Sequence, residues 1–200
     1  MEWGMRIQVV HCHPLEGSFN HALFETIVDT LRRSGHDVVP TDLYREGFDP
    51  AMTVEERRTY MGNDYDGRAV AHYISILENV DGIIFCYPHW WLSMPAVLKG
   101  YVDRVWAPGA AFVYDAADNH LKPNLQHIKL FGVVTSYGSP WWFVRVFARD
   151  PGRHTMMRAL KPMCAKDARS FGLAQYDMDH ATTASRQAFL GRVGKAMARL

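Results

Sequence analysis

The sequence predicts an α/β fold: a doubly wound sheet of five parallel strands with helices on both faces. Two observations predict it. Short apolar runs alternate with helical patterns about five times along the 200 residues, which is the pattern of strand–helix–strand crossovers. The apolar run Ile83 to Tyr87, stopped by Pro88 and followed by helical spacing at Leu98, Val102 and Val105, reads as a buried strand feeding a crossover helix.

The elements follow in order. Arg6 to His11 carries Ile7, Val9 and Val10 and reads as strand one. A loop over residues 11–20 leads to a helix with Leu23, Ile27 and Leu31 on one face, closed by Ser34-Gly35. His36 to Leu43 reads as strand two. Residues 44–66 are polar and irregular, with one short helix around Val54–Tyr60 whose Glu55-Glu56 pair reads as a solvated face. Arg68 to Asn79 is helical, and Gly82 to Tyr87 is strand three. Residues 107–123 suit an excursion or hairpin. Ile128 to Thr135 is strand four, running into a loop at Ser136–Pro140. Residues 153–163 are expected to be helical and Arg169–Tyr176 to be strand five. Phe189, Val193 and Met197, four apart, mark a last helix over Thr183–Arg199. No repeat or linker interrupts this order, so one domain is expected over 1–200. No Gly-x-Gly-x-x-Gly follows strand one, so the strand order expected is the flavodoxin-like one.

Composition narrows the function. Twenty-two basic residues balance 21 acidic ones, which gives no general argument for nucleic acid or an anionic membrane as a partner. No apolar run reaches the roughly 18 residues of a membrane span, and the first six residues have no secretory apolar stretch. Three cysteines are too few for a disulfide framework, so a cytoplasmic setting is expected.

Four constellations stand out. Ser18 and Asn20 sit just before a helix, where the dipole favours a phosphate; the plainer alternative is that one of them is an N-cap. His11-Cys12-His13 with Cys86 and His89 could cluster at neighbouring strand ends, and a zinc site is thinkable there. Because His11 and His13 lack a paired ligand motif, no metal is expected, and the cysteines read as small buried residues. Five tryptophans fall between residues 90 and 142, mostly in expected loops, where exposed aromatics mark binding surfaces and suit a flat ligand such as a flavin. Thr135-Ser136-Tyr137-Gly138 could hydrogen-bond the polar edge of a ring. No Gly-x-Ser-x-Gly and no paired loop carboxylates supply a nucleophile.

Together these segments resemble the flavodoxin-like NAD(P)H:quinone oxidoreductase family, the type of DT-diaphorase, the modulators of drug activity and the ancillary oxidoreductases of potassium-efflux systems. The resemblance runs through His11 with Ser18-Phe19-Asn20, Asp42-Leu43-Tyr44 with Phe48 and Pro50, and Pro88 with Trp91. It continues in Met94-Pro95-Ala96-Val97-Leu98-Lys99-Gly100, Asp103-Arg104-Val105 and Thr135-Ser136-Tyr137-Gly138. It implies a homodimeric flavoenzyme with two sites at the subunit interface. His11, Gly17, Ser18, Phe19 and Asn20 would meet the flavin's phosphate and ribityl chain. Pro88, His89, Trp90, Trp91 and Leu92 would lie along the isoalloxazine, and Thr135, Ser136, Tyr137 and Gly138 along its pyrimidine edge. Phe112 and Tyr114 would border the substrate pocket, with Trp141 added there from the aromatic set. The Ser-Phe-Asn block resembles FAD-binding members, with FMN the alternative. DT-diaphorase has a tyrosine and a histidine after the fourth strand that have no counterpart in Pro140–Arg149 here, and it has glycine at the position of Tyr137. No catalytic side chain is assigned, since the flavin carries the chemistry; Tyr137 is the one that could support it.

The expected reaction is ping-pong: NAD(P)H reduces the flavin, and a quinone or similar acceptor then takes two electrons in the same pocket. The flavin carries the chemistry and the protein tunes it. Two alternatives stand beside it: a flavin-binding regulatory subunit of a membrane potassium-efflux transporter, and a zinc hydrolase built on the His/Cys cluster.

Overall fold

The computed structural model describes residues 4–61, 64–115 and 120–200. Residues 1–3 of the N-terminal segment and 116–119 of the expected hairpin lie outside them. The strands are β1 (Arg6–His11), β2 (Asp37–Asp42), β3 (Gly82–His89), β4 (Phe112–Asp115), β5 (His120–Pro123), β6 (Leu130–Tyr137) and β7 (Arg169–Gln175). The α-helices are α1 (Phe19–Arg33), α2 (Val54–Thr59), α3 (Ala71–Glu78), α4 (Ala96–Val105), the single turn α5 (Pro151–His154) and α6 (Thr183–Met197).

Five strands form one parallel sheet in the order β2-β1-β3-β6-β7, and β4 and β5 form the separate antiparallel hairpin. Side chains alternate across the sheet, so each strand feeds two cores. Ile7, Val9, Ile84, Cys86 and Val134 pack on one face against α1 and α6. Val10, Cys12, Phe85, Tyr87, Phe131 and Val133 pack on the other against α3, α4 and the segment around Met156 and Leu160. The doubly wound expectation is what the chain builds. No helix among the described residues is long and apolar enough to cross a membrane.

Three expected boundaries move. β3 runs through Pro88 to His89, because β1 pairs with it only as far as Cys86 while β6 follows it to His89. Past Cys86 one side of β3 has no strand beside it, and a proline is tolerated there. β6 likewise continues through Thr135, Ser136 and Tyr137, held by β3 on one side and, as far as Ser136, by β7 on the other. The expected helix over 153–163 is a composite: α5, then a π-helical stretch Thr155–Leu160, then a 3₁₀ turn Lys161–Met163. A second π-helical stretch, Phe143–Phe147, lies in residues for which no element is expected from the sequence.

Glu56 corrects the solvated-face expectation for α2. It is 2% exposed. It closes a capping box with Thr53 and accepts from Arg104 Nε and Nη2 at 2.9 and 2.7 Å. Arg104 also donates to the carbonyl of Asp49. Glu55 does face solvent and pairs with Arg58.

Candidate functional site

In a doubly wound sheet the ligand crevice opens at the carboxyl ends of the strands, where successive connections leave in opposite directions. Here that point lies between β1 and β3, where β1 stops short and leaves the end of β3 uncovered. The loop after β1, the turn after β3 and the end of β6 meet around it.

The loop after β1 enters α1 through Ser18, whose hydroxyl oxygen accepts from the His21 amide at 3.1 Å. Ser18 is therefore the N-cap, and its O–H remains available to donate outward. Phe19 and Asn20 open the helix, so their amides have no intrahelical acceptor. Phe19 points inward, its ring 6.2 Å from Phe189. Asn20 is 4% exposed. Its Nδ2 donates to Ser136 Oγ at 2.8 Å, while its Oδ1 is buried without a partner among the described residues. Gly17 has open space where a side chain would stand. His11 is wholly enclosed, stacked on Phe24 at 4.7 Å.

The turn after β3 is strained. Trp90 and Ser93 exchange backbone hydrogen bonds of 3.0 and 3.1 Å, and Trp91 and Leu92 between them both have positive φ, 52° and 59°. Two such residues without glycine cost about 1–3 kcal/mol each, and strain of this kind collects at functional sites. The turn projects Trp91 into solvent, fully exposed, beside the partly exposed Trp90. His89, Trp90, Trp91, Leu92, Tyr137, Gly138, Ser139 and Phe143 line a crevice of about 510 Å³, within the range of small-ligand sites.

Beneath that crevice lies a polar stack. Tyr137 lies flat between His89 and Tyr176, at 4.0 and 5.0 Å and within 12° and 9° of parallel. Its hydroxyl donates to Asp150 Oδ1 at 2.7 Å and lies 3.2 Å from His89 Nε2. Thr135 donates to the Tyr87 carbonyl at 2.6 Å, so it accepts from His89 Nδ1 at 2.7 Å. That fixes the tautomer: Nδ1 carries the hydrogen and Nε2 is an acceptor. Burial lowers His89 to about 4 despite the neighbouring Asp150, so the ring is neutral near pH 7. Burial and the bond to Asp150 push the Tyr137 phenol up. Asp150 also accepts from Arg145 at 3.1 Å and caps α5 through the Arg153 amide.

The structure sorts the expected site residues. Ser18, Gly17 and Asn20 stand together at the α1 end, and His89, Trp90, Trp91 and Leu92 along the crevice. Thr135, Ser136 and Tyr137 are strand residues whose hydroxyls are engaged inside the protein, so they do not offer them to a ring edge. Gly138 reaches the crevice beside the Asp179 carboxylate. Trp141 is exposed outside the crevice and Phe143 takes its place in the lining. Phe112 and Tyr114 belong to the separate β4–β5 hairpin and do not line it. The alternative zinc grouping of His11, Cys12, His13, Cys86 and His89 does not form. His11 and Cys86 face the α1 side of the sheet, whereas Cys12 and His89 lie toward the other. Burial also pushes the Cys12 thiol up to about 12 and Cys86 higher still. Asp150 and Arg145 were missed. The signal for the first was Asp150-Pro151, an N-cap residue before proline at the first helical position.

A family model described as "Flavodoxin-like fold" matches residues 5–195. The chain is 35% identical over 120 residues to the uncharacterized NAD(P)H oxidoreductase YcaK of Escherichia coli (strain K12), a stretch covering 59% of each chain. It is 31% identical over 151 residues to NAD(P)H dehydrogenase (quinone) 1 of Rattus norvegicus, covering 67% of this chain and 54% of that one. The matched stretches therefore span little more than half of these relatives' own lengths. Among solved structures, Smu.1420 from Streptococcus mutans UA159 superposes with a TM-score of 0.81 at 27% identity, over 98% of this chain and 100% of the other.

Proposed function

The chain belongs to the flavodoxin-like fold family, and from that premise we propose that it is a flavin-dependent NAD(P)H oxidoreductase that passes two electrons to a quinone or similar acceptor. The observation that carries the reading is the strained Trp91-Leu92 turn, which lines a crevice at the ends of β3 and β6, with the α1 N-terminus tied to the end of β6 through Asn20 and Ser136. A planar ring on one side and a phosphate on the other match those two features. The names of the relatives, an NAD(P)H oxidoreductase and a quinone dehydrogenase, point the same way.

The residues present fit a flavin. The free amides of Phe19 and Asn20 suit a phosphate, and the unpartnered Asn20 Oδ1 suits a hydroxyl donor of the ribityl chain. When bound, the flavin supplies two-electron transfer between nicotinamide and acceptor. The chain's own work is placement. Ser18 and the first turn of α1 hold the phosphate, the Trp90–Leu92 amides border the ring, and neutral His89, locked by Thr135 and Tyr137, forms a rigid floor. We take FAD in preference to FMN from the Ser18-Phe19-Asn20 block. A homodimer belongs to the same reading: Trp91, Trp141, Trp142, Val146 and Phe147 are 55–101% exposed around the crevice, an apolar rim that a second subunit would cover. Three buried, unpaired cysteines accord with a cytoplasmic setting.

The test is the visible spectrum of the purified protein. Flavin bands that bleach with NAD(P)H alone and return when menadione is added afterwards support the reading, and mass analysis of the released cofactor separates FAD from FMN. A colourless protein that takes up neither flavin when it is added overturns it.

A further inference from the structure

The chain as a whole is nearly neutral, but one segment is not. Between residues 143 and 161 stand Arg145, Arg149, Arg153, Arg158 and Lys161 against a single acid, Asp150. That acid does not neutralise the surface. Asp150 is 3% exposed, and it accepts from Tyr137, Arg145 and the Arg153 amide. Arg149 and Arg153 are exposed. Neither guanidinium has an ion pair or a hydrogen bond among the described residues.

Two features tie these cations to the crevice. A Cβ on Gly152 would stand 2.3 Å from His89 Nε2 and 2.9 Å from the Leu92 carbonyl oxygen. Both His89 and Leu92 line the crevice, so the chain from Arg149 to Arg153 is seated against its wall. Arg149 and Asp150 also form a corner in which both residues have positive φ, 56° and 46°. Like Trp91-Leu92, it is a consecutive pair of left-handed residues without glycine. Such strain persists where the surroundings over-determine it, and it gathers at functional sites. Here the bonds of Asp150 hold the corner, and Gly152 sets it beside the first strained turn.

We infer that Arg149 and Arg153 bind the 2′-phosphate of NADPH, which makes NADPH rather than NADH the donor. The inference rests on the oxidoreductase reading above, whose crevice receives the nicotinamide. A flavin's phosphorylated chain leads toward α1, on one face of the sheet, whereas the 149–153 corner precedes Met156, which packs on the other. The donor's adenosine end therefore has its own exit, lined with positive charge. What can be read there decides between the two donors. A ribose 2′-hydroxyl is bound by a carboxylate and a 2′-phosphate by arginine. The one carboxylate of this segment is buried and engaged, while two guanidinium groups are free. Their planar forks match phosphate oxygens in pairs.

Anaerobic stopped-flow on the flavin-loaded full chain separates the donor's dissociation constant from the limiting rate of flavin reduction. Wild type should bind NADPH about tenfold or more tightly than NADH, the worth of a hydrogen bond to a charged group, and added salt should narrow the gap. Arg149→Ala and Arg153→Ala should each raise the NADPH dissociation constant by about tenfold. The limiting rate and the NADH constant should hardly move. Arg32→Ala, which removes an exposed arginine from the last turn of α1, should change neither constant. Arg149→Gly suits the left-handed corner and carries the test if Arg149→Ala does not fold. Equal binding of the two donors by wild type, or a preference for NADPH that survives both substitutions, overturns the inference. Calorimetry with 2′,5′-ADP against 5′-AMP keeps it apart from the flavin reading. A protein that takes up no flavin loses that reading alone. Tighter binding of 2′,5′-ADP, lost in Arg153→Ala, would still support the phosphate site, and equal binding would still overturn it.

Discussion

Tyr137 and His89 are stacked face to face, 4.0 Å apart. The phenol has one hydrogen and gives it to Asp150, so its contact with the His89 ring is the stack and its one donated bond goes to the buried carboxylate. Tyr137→Phe keeps the stack and removes the donor to Asp150. A buried carboxylate that loses a donor costs about 1–3 kcal/mol, and urea denaturation should show a loss in that range. An unchanged midpoint would mean that Asp150 is satisfied by Arg145 and the Arg153 amide alone.

The turn after β3 holds strain that the free protein does not need. Trp91→Gly places in the left-handed region the residue that accepts it at no steric cost. The ring it removes contributes no burial, being fully exposed. The flavin-free variant should therefore be as stable as wild type or more so, while flavin retention falls. A clear drop in the melting temperature of the flavin-free variant would show that Trp91 holds the fold instead.

Glu56 and Arg104 set an acid limit. Burial alone would raise the Glu56 carboxyl, but the bonds from Arg104 and Thr53 outweigh it and hold it below its usual 4.5. With the folded value depressed, the unfolded chain binds this proton first. The pair's contribution is thus full above about 4.5 and is lost as pH falls through the lower folded value. Glu56→Ala strands the Arg104 guanidinium and should cost roughly 3–5 kcal/mol near pH 7. It should also flatten the decline of stability below pH 4.5, checked by denaturation at several pH values.

Gly100 lies inside α4 where the chain at Pro50 crosses it. A Cβ there would stand 2.3 Å from the Pro50 carbonyl oxygen and 2.4 Å from its Cα, both backbone atoms. Gly100→Ala should destabilise by about 1–3 kcal/mol through overpacking, although alanine is the better helix former. A stabilised variant in thermal unfolding would show that the 44–53 segment yields freely.

The fold was legible because each strand carries its own apolar run and each long helix its own stripe. Leu23, Ile27 and Leu31, like Phe189, Val193 and Met197, are all buried where their spacing put them. The site was less so, because its parts are decided by partners far along the chain. Ser136-Tyr137 reads as loop because polar residues end an apolar run, yet Asn20, 116 residues away, and Asp150 give those hydroxyls partners inside the protein. Glu56 reads as solvated because nothing local reveals Arg104, 48 positions on.

The strand order also sets a schedule for synthesis. The crevice needs the turn at Trp90–Ser93 and residues 137–143 together, and β1 must hold its place until β3, 75 positions later, arrives beside it. At about 5–20 residues per second, a ribosome spends several seconds between delivering the first wall and the last. Until Phe143 has emerged, a nascent chain can fold β1, α1 and β2 but has no complete pocket. Cofactor capture therefore falls late in the birth of the chain, and a fragment truncated before residue 137 should emerge colourless even in flavin-rich medium.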